Sequence, residues 1–321
     1  MAKLTVIIPF YQKEPGILRR ALSSVFAQTF SDFDVIVVDD QSPFPIDEEL
    51  ACLPKDEVER ITVIRQLNAG PGGARNTGLD AVKPDTEFVA FLDSDDVWTA
   101  DHLANAYLGM TRFNADCYWA SISGGEAFYY HFGVAELEST EQVVRLQNSP
   151  LIVELPEMSS VMLRNWSFLH LSCMVLGRRL FRSIRFEAEL RLAAEDVLFF
   201  CDCVLAADRV ILCDAAGAER GEGLNIFHGV DNDSPQFLEQ QFNTWVALDR
   251  LEHRFDGRGQ EVASIRSYKQ TARRQALWSQ ARLVKRRKLP QVDLLAQWIW
   301  RDPRLLGSAV ALAAAKLSRQ A

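Results

Sequence analysis

Apolar residues in this chain first come as short uninterrupted runs. Leu4–Phe10 (LTVIIPF) is one, rich in β-branched side chains, and it predicts a strand buried on both faces. Pro15 and Gly16 follow, and then Leu18, Ala21, Leu22, Val25 and Phe26 recur at helical spacing, predicting a helix over Ile17–Phe30. Phe33–Asp40 (FDVIVVDD) predicts a second buried strand that ends in two carboxylates. A loop with Ser and two prolines, Gln41–Pro45, separates it from a third strand at Ile61–Arg65. The glycine-rich Asn68–Gly73 then leads into a helix to about Val82, and Glu87–Leu92 is a fourth strand ending in Asp93-Ser94-Asp95-Asp96. Strand and helix alternate through residue 100, as in a parallel sheet with helices on its faces. Such sheets bind ligands at the C-terminal ends of their strands, and acidic residues stand at two of those ends.

Residues 101–230 are less regular. The pattern predicts a helix over Asp101–Phe113, strands at Cys117–Ile122, Ser172–Leu176 and Val210–Cys213, and a buried helix over Ala193–Ala207 that opens with Glu195-Asp196. From about Pro235 the pattern is helical to the end, interrupted near Pro290 and Pro303. The chain therefore divides into a domain over residues 1–230, with halves at 1–100 and 101–230, and a helical region over 231–321.

Composition narrows the class. The chain has 321 residues, 48% hydrophobic and 24% charged, the profile of a folded globular protein. No run of about 18 uncharged apolar residues predicts a membrane span. The N-terminus runs straight into a strand without a signal-peptide pattern, so a cytoplasmic location is expected, with the inner membrane face as a second expectation. The six cysteines form no CxxC pair, which argues for buried reduced thiols over a disulfide framework or zinc site. A net charge of −8 hides an asymmetry: residues 258–321 carry 14 Lys+Arg and 3 Asp+Glu, whereas residues 1–257 carry 21 and 40. The body should not bind nucleic acid, while the tail attracts anionic surfaces.

Phe88–Trp98 (FVAFLDSDDVW) is the most informative segment. A buried strand delivers Asp93 and Asp95, one residue apart, to its end. Such carboxylates suit a hard divalent cation, Mn or Mg, that also binds phosphate oxygens. A sugar nucleotide needs one because its diphosphate leaving group gains negative charge. The same Asp93-Ser94-Asp95-Asp96-Val97 also fits haloacid-dehalogenase-like phosphatases, where the first Asp accepts a phosphoryl group. The motif alone leaves both readings open.

Four blocks in order decide between them. LTVIIPFYQ, LRRALSSVFAQTFSDFDVIVVDDQS, NAGPGGARNTGLDA and EFVAFLDSDDVW closely resemble the family 2 glycosyltransferases over residues 3–105. The resemblance implies the GT-A fold, a Rossmann-like α/β architecture with a mostly parallel sheet flanked by helices, here with a C-terminal helical extension. It places Pro9 and Tyr11 along the nucleotide base and Asp40, with Asp39 as the alternative, at the uracil N3–H. It places Arg75 near the nucleotide, Asp93 and Ser94 near the ribose, and Asp95 on the metal. Asp196 falls on the family's catalytic base, with Glu195 holding the acceptor or its loop. Asn225-Ile226-Phe227-His228 departs from the family's Tyr-Arg-x-His, and His228 is a candidate metal ligand there. One base and direct attack imply inversion. The Gln-x-x-Arg-Trp signature of processive synthases is absent, which favours one sugar per acceptor.

The resemblance thus implies a UDP-sugar donor, with glucose the expected sugar, and a saccharide acceptor that is lipid-linked, in exopolysaccharide assembly. Gly70-Pro71-Gly72-Gly73 fails the dinucleotide fingerprint because Arg75 stands where its third glycine belongs, leaving a glycine-rich turn into a helix. Trp98, Trp166 and Trp245 are either core residues or sugar-stacking platforms. In the tail, cations over Arg273–Lys288 interleave with Trp278, Leu283 and Val284. This pattern suits an anionic membrane surface, or helices that pack on the body or on a partner subunit such as a second copy. A catalytically silent binding subunit is the rival from another class.

Overall fold

Leu4–Phe10 forms β1, and all but one of its side chains are buried, as an all-apolar run requires. The structure is a computed structural model that describes residues 2–124, 132–164, 169–190, 195–221, 231–232 and 234–309. The chain divides into two units, Met1–Arg191 with Glu195–Asn225, and Leu192–Ala194 with Ile226–Ala321.

The first unit is built on one sheet. Its further strands are β2 (Phe33–Asp39), β3 (Ile61–Arg65), β4 (Phe88–Phe91), β5 (Val97–Trp98), β6 (Cys117–Ser123), β7 (Val144–Asn148), β8 (Leu151–Glu154), β9 (Met174–Gly177) and β10 (Val210–Glu219). They lie in the order β3-β2-β1-β4-β9-β6-β10-β8-β7, with β5 on β10. The first four are parallel, with Phe10 beside Asp39 and Ile7 beside Phe91, so their C-terminal ends share one edge. The sheet turns mixed at β9, which runs antiparallel to β4 and β6.

Close backbone approach explains the glycine-rich segment. Gly70–Asp80 is a helix, and a Cβ on Gly78 would stand 2.5 Å from Ile7 Cγ2 on β1. The helix Ile17–Phe26 carries no cap of its own. Buried Glu49 supplies one across the fold, its Oε2 accepting from Arg19 N at 2.7 Å and its Oε1 from Gly16 N. A carboxylate at a helix N-terminus also meets the favourable end of the helix dipole.

β10 runs six residues past the Val210–Cys213 run visible in the sequence. The extension, DAAGAE, has small side chains because it passes under other groups: a Cβ on Gly217 would fall 2.3 Å from His102 Nδ1. Trp98 is core, 4% exposed, and its indole N–H donates to Ser172 O at 2.6 Å. None of the six cysteines is in a disulfide; Cys52 is exposed and the other five are buried, so the expectation of buried thiols fails at Cys52 alone.

The second unit contains the helices Pro235–Arg254, Gly259–Lys285 and Val292–Arg301. Leu238, Phe242, Trp245, Ala272, Ala276, Trp298 and Leu305 form its core, which removes Trp245 from the sugar-stacking candidates. Trp166 lies outside the described residues. Some of the tail's cations turn inward: Lys269 lies 2.6 Å from Asp249 and 2.7 Å from Glu252, and Arg273 pairs with Asp302. Among the described residues no helix is long and apolar enough to cross a membrane.

Alanine in place of glycine inside a helix ordinarily stabilises by about 1 kcal/mol. At Gly78 the added methyl overlaps Ile7, and overpacking costs roughly 1–3 kcal/mol. Gly78→Ala is therefore expected to lower the melting temperature in a thermal scan. A rise would show that the helix can lift off β1.

Candidate active site

The site begins at the shared edge of β1, β2 and β4. Pro9 is the penultimate residue of β1, half-buried, and Tyr11 just beyond it is 40% exposed. Gln12 is buried and ties two blocks together: its side-chain amide donates to Ser94 Oγ at 3.1 Å, and its backbone N–H donates to Ser42 Oγ at 2.9 Å.

The two aspartates after β2 are held differently. Asp40 is buried; its Oδ1 accepts from Gln66 Nε2 at 2.6 Å and from Ala69 N at 2.8 Å, and its Oδ2 accepts from Gly70 N at 2.9 Å. It thus fixes the entry to the Gly70–Asp80 helix while keeping spare acceptor capacity, since a carboxylate offers about four lone-pair sites. Asp39 Oδ1 accepts from Ser42 N at 2.8 Å.

β4 ends in the turn Asp93–Asp96, closed by Asp96 N donating to Asp93 O at 3.1 Å. Ser172, fully buried, organises it. The Ser172 hydroxyl donates to Asp96 Oδ2 at 2.5 Å and accepts from Asp93 N at 3.1 Å. Gly221 N donates to Asp96 Oδ1 at 3.0 Å, and Gly221 presses so close that a Cβ there would overlap Asp95 O. Arg20 Nη2 donates to the same Asp95 oxygen at 3.0 Å.

Arg75 is the buried centre. One end of its guanidinium lies 2.6 Å from Asp93 Oδ1 and the other 3.4 Å from Glu195 Oε1, with the Phe186 ring 5.4 Å away. Its Nε is buried without a partner. Gly72 makes room, since a Cβ there would lie 3.2 Å from Phe186 Cβ and 3.4 Å from Glu195 Cγ. Glu195 and Asp196 open the helix Glu195–Ala206, and Asp196 Oδ1 accepts from Val197 N at 2.8 Å.

These carboxylates do not share one proton affinity. Burial alone would raise Asp93, but Arg75 and then His170 hold it below the ordinary range. Burial, then the charges of Asp93 and Asp96, push Asp95 up to about 7. Burial, then Asp196, pushes Glu195 up to about 7. Burial also raises Asp96 and Asp196.

One ligand atom each from Asp93, Asp96 and His170 lie within 4.8 Å of one another. Carboxylate oxygens with one imidazole suit Mg, Mn or another first-row cation. The crowding that raises Asp95 is what a bound cation would relieve, so the residues present fit one. His170 Nδ1 accepts from Ser172 N at 3.2 Å. His228 lies outside the described residues. The structure thus gathers Asp93, Ser94, Asp95, Arg75, Glu195 and Asp196 through shared bonds and charges. It adds Gln12, Gln66, Asp96, His170 and Ser172. Of these only Asp96 had a sequence signal, as the last carboxylate of its turn.

Between about pH 4 and 7 the folded chain keeps the Asp95 proton that the unfolded chain has released, so stability falls as pH rises through that window. With a chelator present, the protein is expected to be less stable at pH 8 than at pH 5. Asp95→Asn should recover about 1–2 kcal/mol at pH 8, allowing for partial exposure, and nothing at pH 4. Denaturant melts of both proteins check this, and an Asn variant no more stable than the parent at pH 8 contradicts it.

Comparison with known proteins meets this geometry. Residues 5–185 match the model of the family described as glycosyl transferase family 2. The succinoglycan biosynthesis protein ExoW of Rhizobium meliloti (strain 1021) is 75% identical over 319 residues, 99% of this chain and 100% of that one. A GalNAc(5)-diNAcBac-PP-undecaprenol beta-1,3-glucosyltransferase of Campylobacter jejuni is 39% identical over 98 residues, 30% of each chain. Among solved structures, S. aureus TarS 1-349 superposes with a TM-score of 0.56 at 20% identity, covering 86% of this chain and 80% of its own. Its complex with UDP gives 0.54 at 22%, covering 88% and 72%. The shared architecture is the GT-A fold, and the dehalogenase-like phosphatase reading falls with it. Asp93, which that reading needs as a free nucleophile, is locked onto Arg75. The chain belongs to glycosyl transferase family 2 and is a glycosyltransferase.

Proposed function

We propose that the protein transfers one sugar from a UDP-sugar, with glucose as the expected sugar, to a saccharide acceptor carried on a lipid, inverting the anomeric carbon, in exopolysaccharide assembly of the succinoglycan kind. The observation that carries this is the placement of Asp196 beside Glu195, which Arg75 joins to the Asp93–Asp96 turn at the strand edge. An acid-rich turn suited to a diphosphate and a carboxylate suited to an acceptor hydroxyl belong to one bonded unit.

Pro9 and Tyr11 flank the base, and Asp40 accepts the uracil N3–H through its spare capacity on Oδ2, with Asp39 as the alternative. Ser94, fixed by Gln12, and Asp93 face the ribose. A divalent cation, Mn or Mg, would be held by Asp95, with Asp93, Asp96 and His170, whose ligand atoms lie within 4.8 Å of one another, as further candidate ligands, and when bound would neutralise the charge that grows on the diphosphate. The acceptor oxygen forms its bond to the anomeric carbon as the bond to UDP breaks, and its proton passes to the Asp196 carboxylate. Burial makes that carboxylate a stronger base than an exposed one. Glu195, tied to Arg75, orients the loop.

The TarS complexes with UDP and with UDP-GlcNAc support the donor class, and the name of the Campylobacter relative supports a lipid-linked acceptor and a β-linked product. UDP-sugars are cytoplasmic metabolites, so we place the enzyme in that compartment.

Asp196→Asn should keep its affinity for UDP with Mn²⁺ and lose transfer by about 10²–10⁴-fold. UDP at about 100 times its Kd should stabilise both proteins by roughly 2.7 kcal/mol in thermal melts, more with Mn²⁺ than without, and beyond GDP or CDP. Parent-like turnover in the Asn variant sinks the base assignment. No response to any nucleotide favours the silent-subunit reading.

A further inference from the structure

The helix Gly259–Lys285 ends in an unusual corner. Lys288 N donates to Leu283 O at 2.9 Å and Arg287 N to Val284 O at 3.0 Å, a paired closure that places Arg287 at φ 58°. Glycine is the residue this left-handed position favours. Here it is an arginine, exposed, in a run of four cations, Lys285, Arg286, Arg287 and Lys288. Such a closure commonly tucks an apolar side chain from the second residue past the helix back onto its last turn. Lys288 holds that place, and the apolar residue comes one step later: Leu289 is 91% exposed. Val284 and Val292 flank the run at 59% and 63% exposure. No carboxylate stands between Val284 and Val292. The corner is fixed in place, with Gln280 Oε1 accepting from Gln291 N at 2.9 Å.

We propose that this corner, Val284–Val292, docks the protein on an anionic lipid bilayer. Exposed aliphatic side chains set among four cations match a surface that offers phosphate charge outside and hydrocarbon just beneath. A nucleic acid or an acidic protein segment would meet the cations and leave Leu289 in water. Lys269 and Arg273, the tail cations committed to internal ion pairs, take no part. Residues 1–257 carry 40 acidic and 21 basic side chains, so anionic lipid repels the body. The proposal goes beyond the donor and acceptor readings and stands without them.

The test is flotation of the full chain with vesicles of phosphatidylcholine alone and with roughly one-third phosphatidylglycerol. Binding is expected only to the anionic vesicles and should weaken in high salt. Each surface cation contributes enough that the double variant Lys285→Gln/Lys288→Gln should lower the partition coefficient about 30-fold. Leu289→Ser should lower it about tenfold. Arg287→Gly should lower it about fivefold with no fall in melting temperature, because glycine suits the left-handed position. Hydrolysis of a soluble UDP-sugar by the double variant should match the parent, which separates docking from catalysis. Equal binding to neutral vesicles, no binding to either, or a Leu289→Ser variant that binds like the parent would overturn the proposal.

Discussion

A single buried cation holds the site together. Arg75 reaches Asp93, 18 residues on, and Glu195, 120 residues on, from inside a helix that packs glycine-first against β1. Removing three charges from water is expensive, and their attraction offsets this only when the geometry is good. The unpartnered Nε and the 3.4 Å separation from Glu195 show that Arg75 leaves part of its bonding capacity unused. Gly72 and Gly78 are therefore as much a part of the site as the charged residues, because a side chain at either would push the Gly70–Asp80 helix, and Arg75 with it, away from its partners.

Around Arg75 the described residues gather five carboxylates: Asp93, Asp95, Asp96, Glu195 and Asp196. The turn that carries the first three is over-determined by Ser172, Gly221 and Arg20, so it holds like charges that a free turn would spread apart. Repulsion stored this way lowers the stability of the fold, and under the proposed function a cation and a diphosphate would relieve it. Within one turn, Asp93 stays ionised beside Arg75 while Asp95 gains proton affinity, so the environment gives two similar residues different work.

The N-terminal third was largely legible in the sequence because each of its signals is local. Leu4–Phe10 and Ile61–Arg65 form strands with the boundaries their apolar runs predict. The helix from Ile17 stops at Phe26 instead of Phe30, where its chain turns to pair with the segment after β5 through Thr29 N and Ala100 O. The second half was less legible because tertiary contacts govern it. β10 continues through small residues that carry no strand pattern, and β7, with three of its five residues exposed, has no apolar run. The turn's carboxylates could be read from their spacing. His170 and Ser172 could not, since they reach Asp96 across more than 70 residues. Trp98 and Trp245 resemble ligand platforms in a sequence, and only packing shows that they are core.

The proposed function makes one carboxylate, Asp196, the group that activates an attacking hydroxyl for a single displacement on a UDP-sugar. Time-resolved proton NMR of the sugar released when the enzyme consumes a UDP-α-sugar, with water as the acceptor, tests this directly. The β-anomer should appear first and the α-anomer only at the rate of mutarotation. An α-anomer formed first would mean two displacements or retention at the anomeric carbon, and would rule out a single displacement assisted by Asp196.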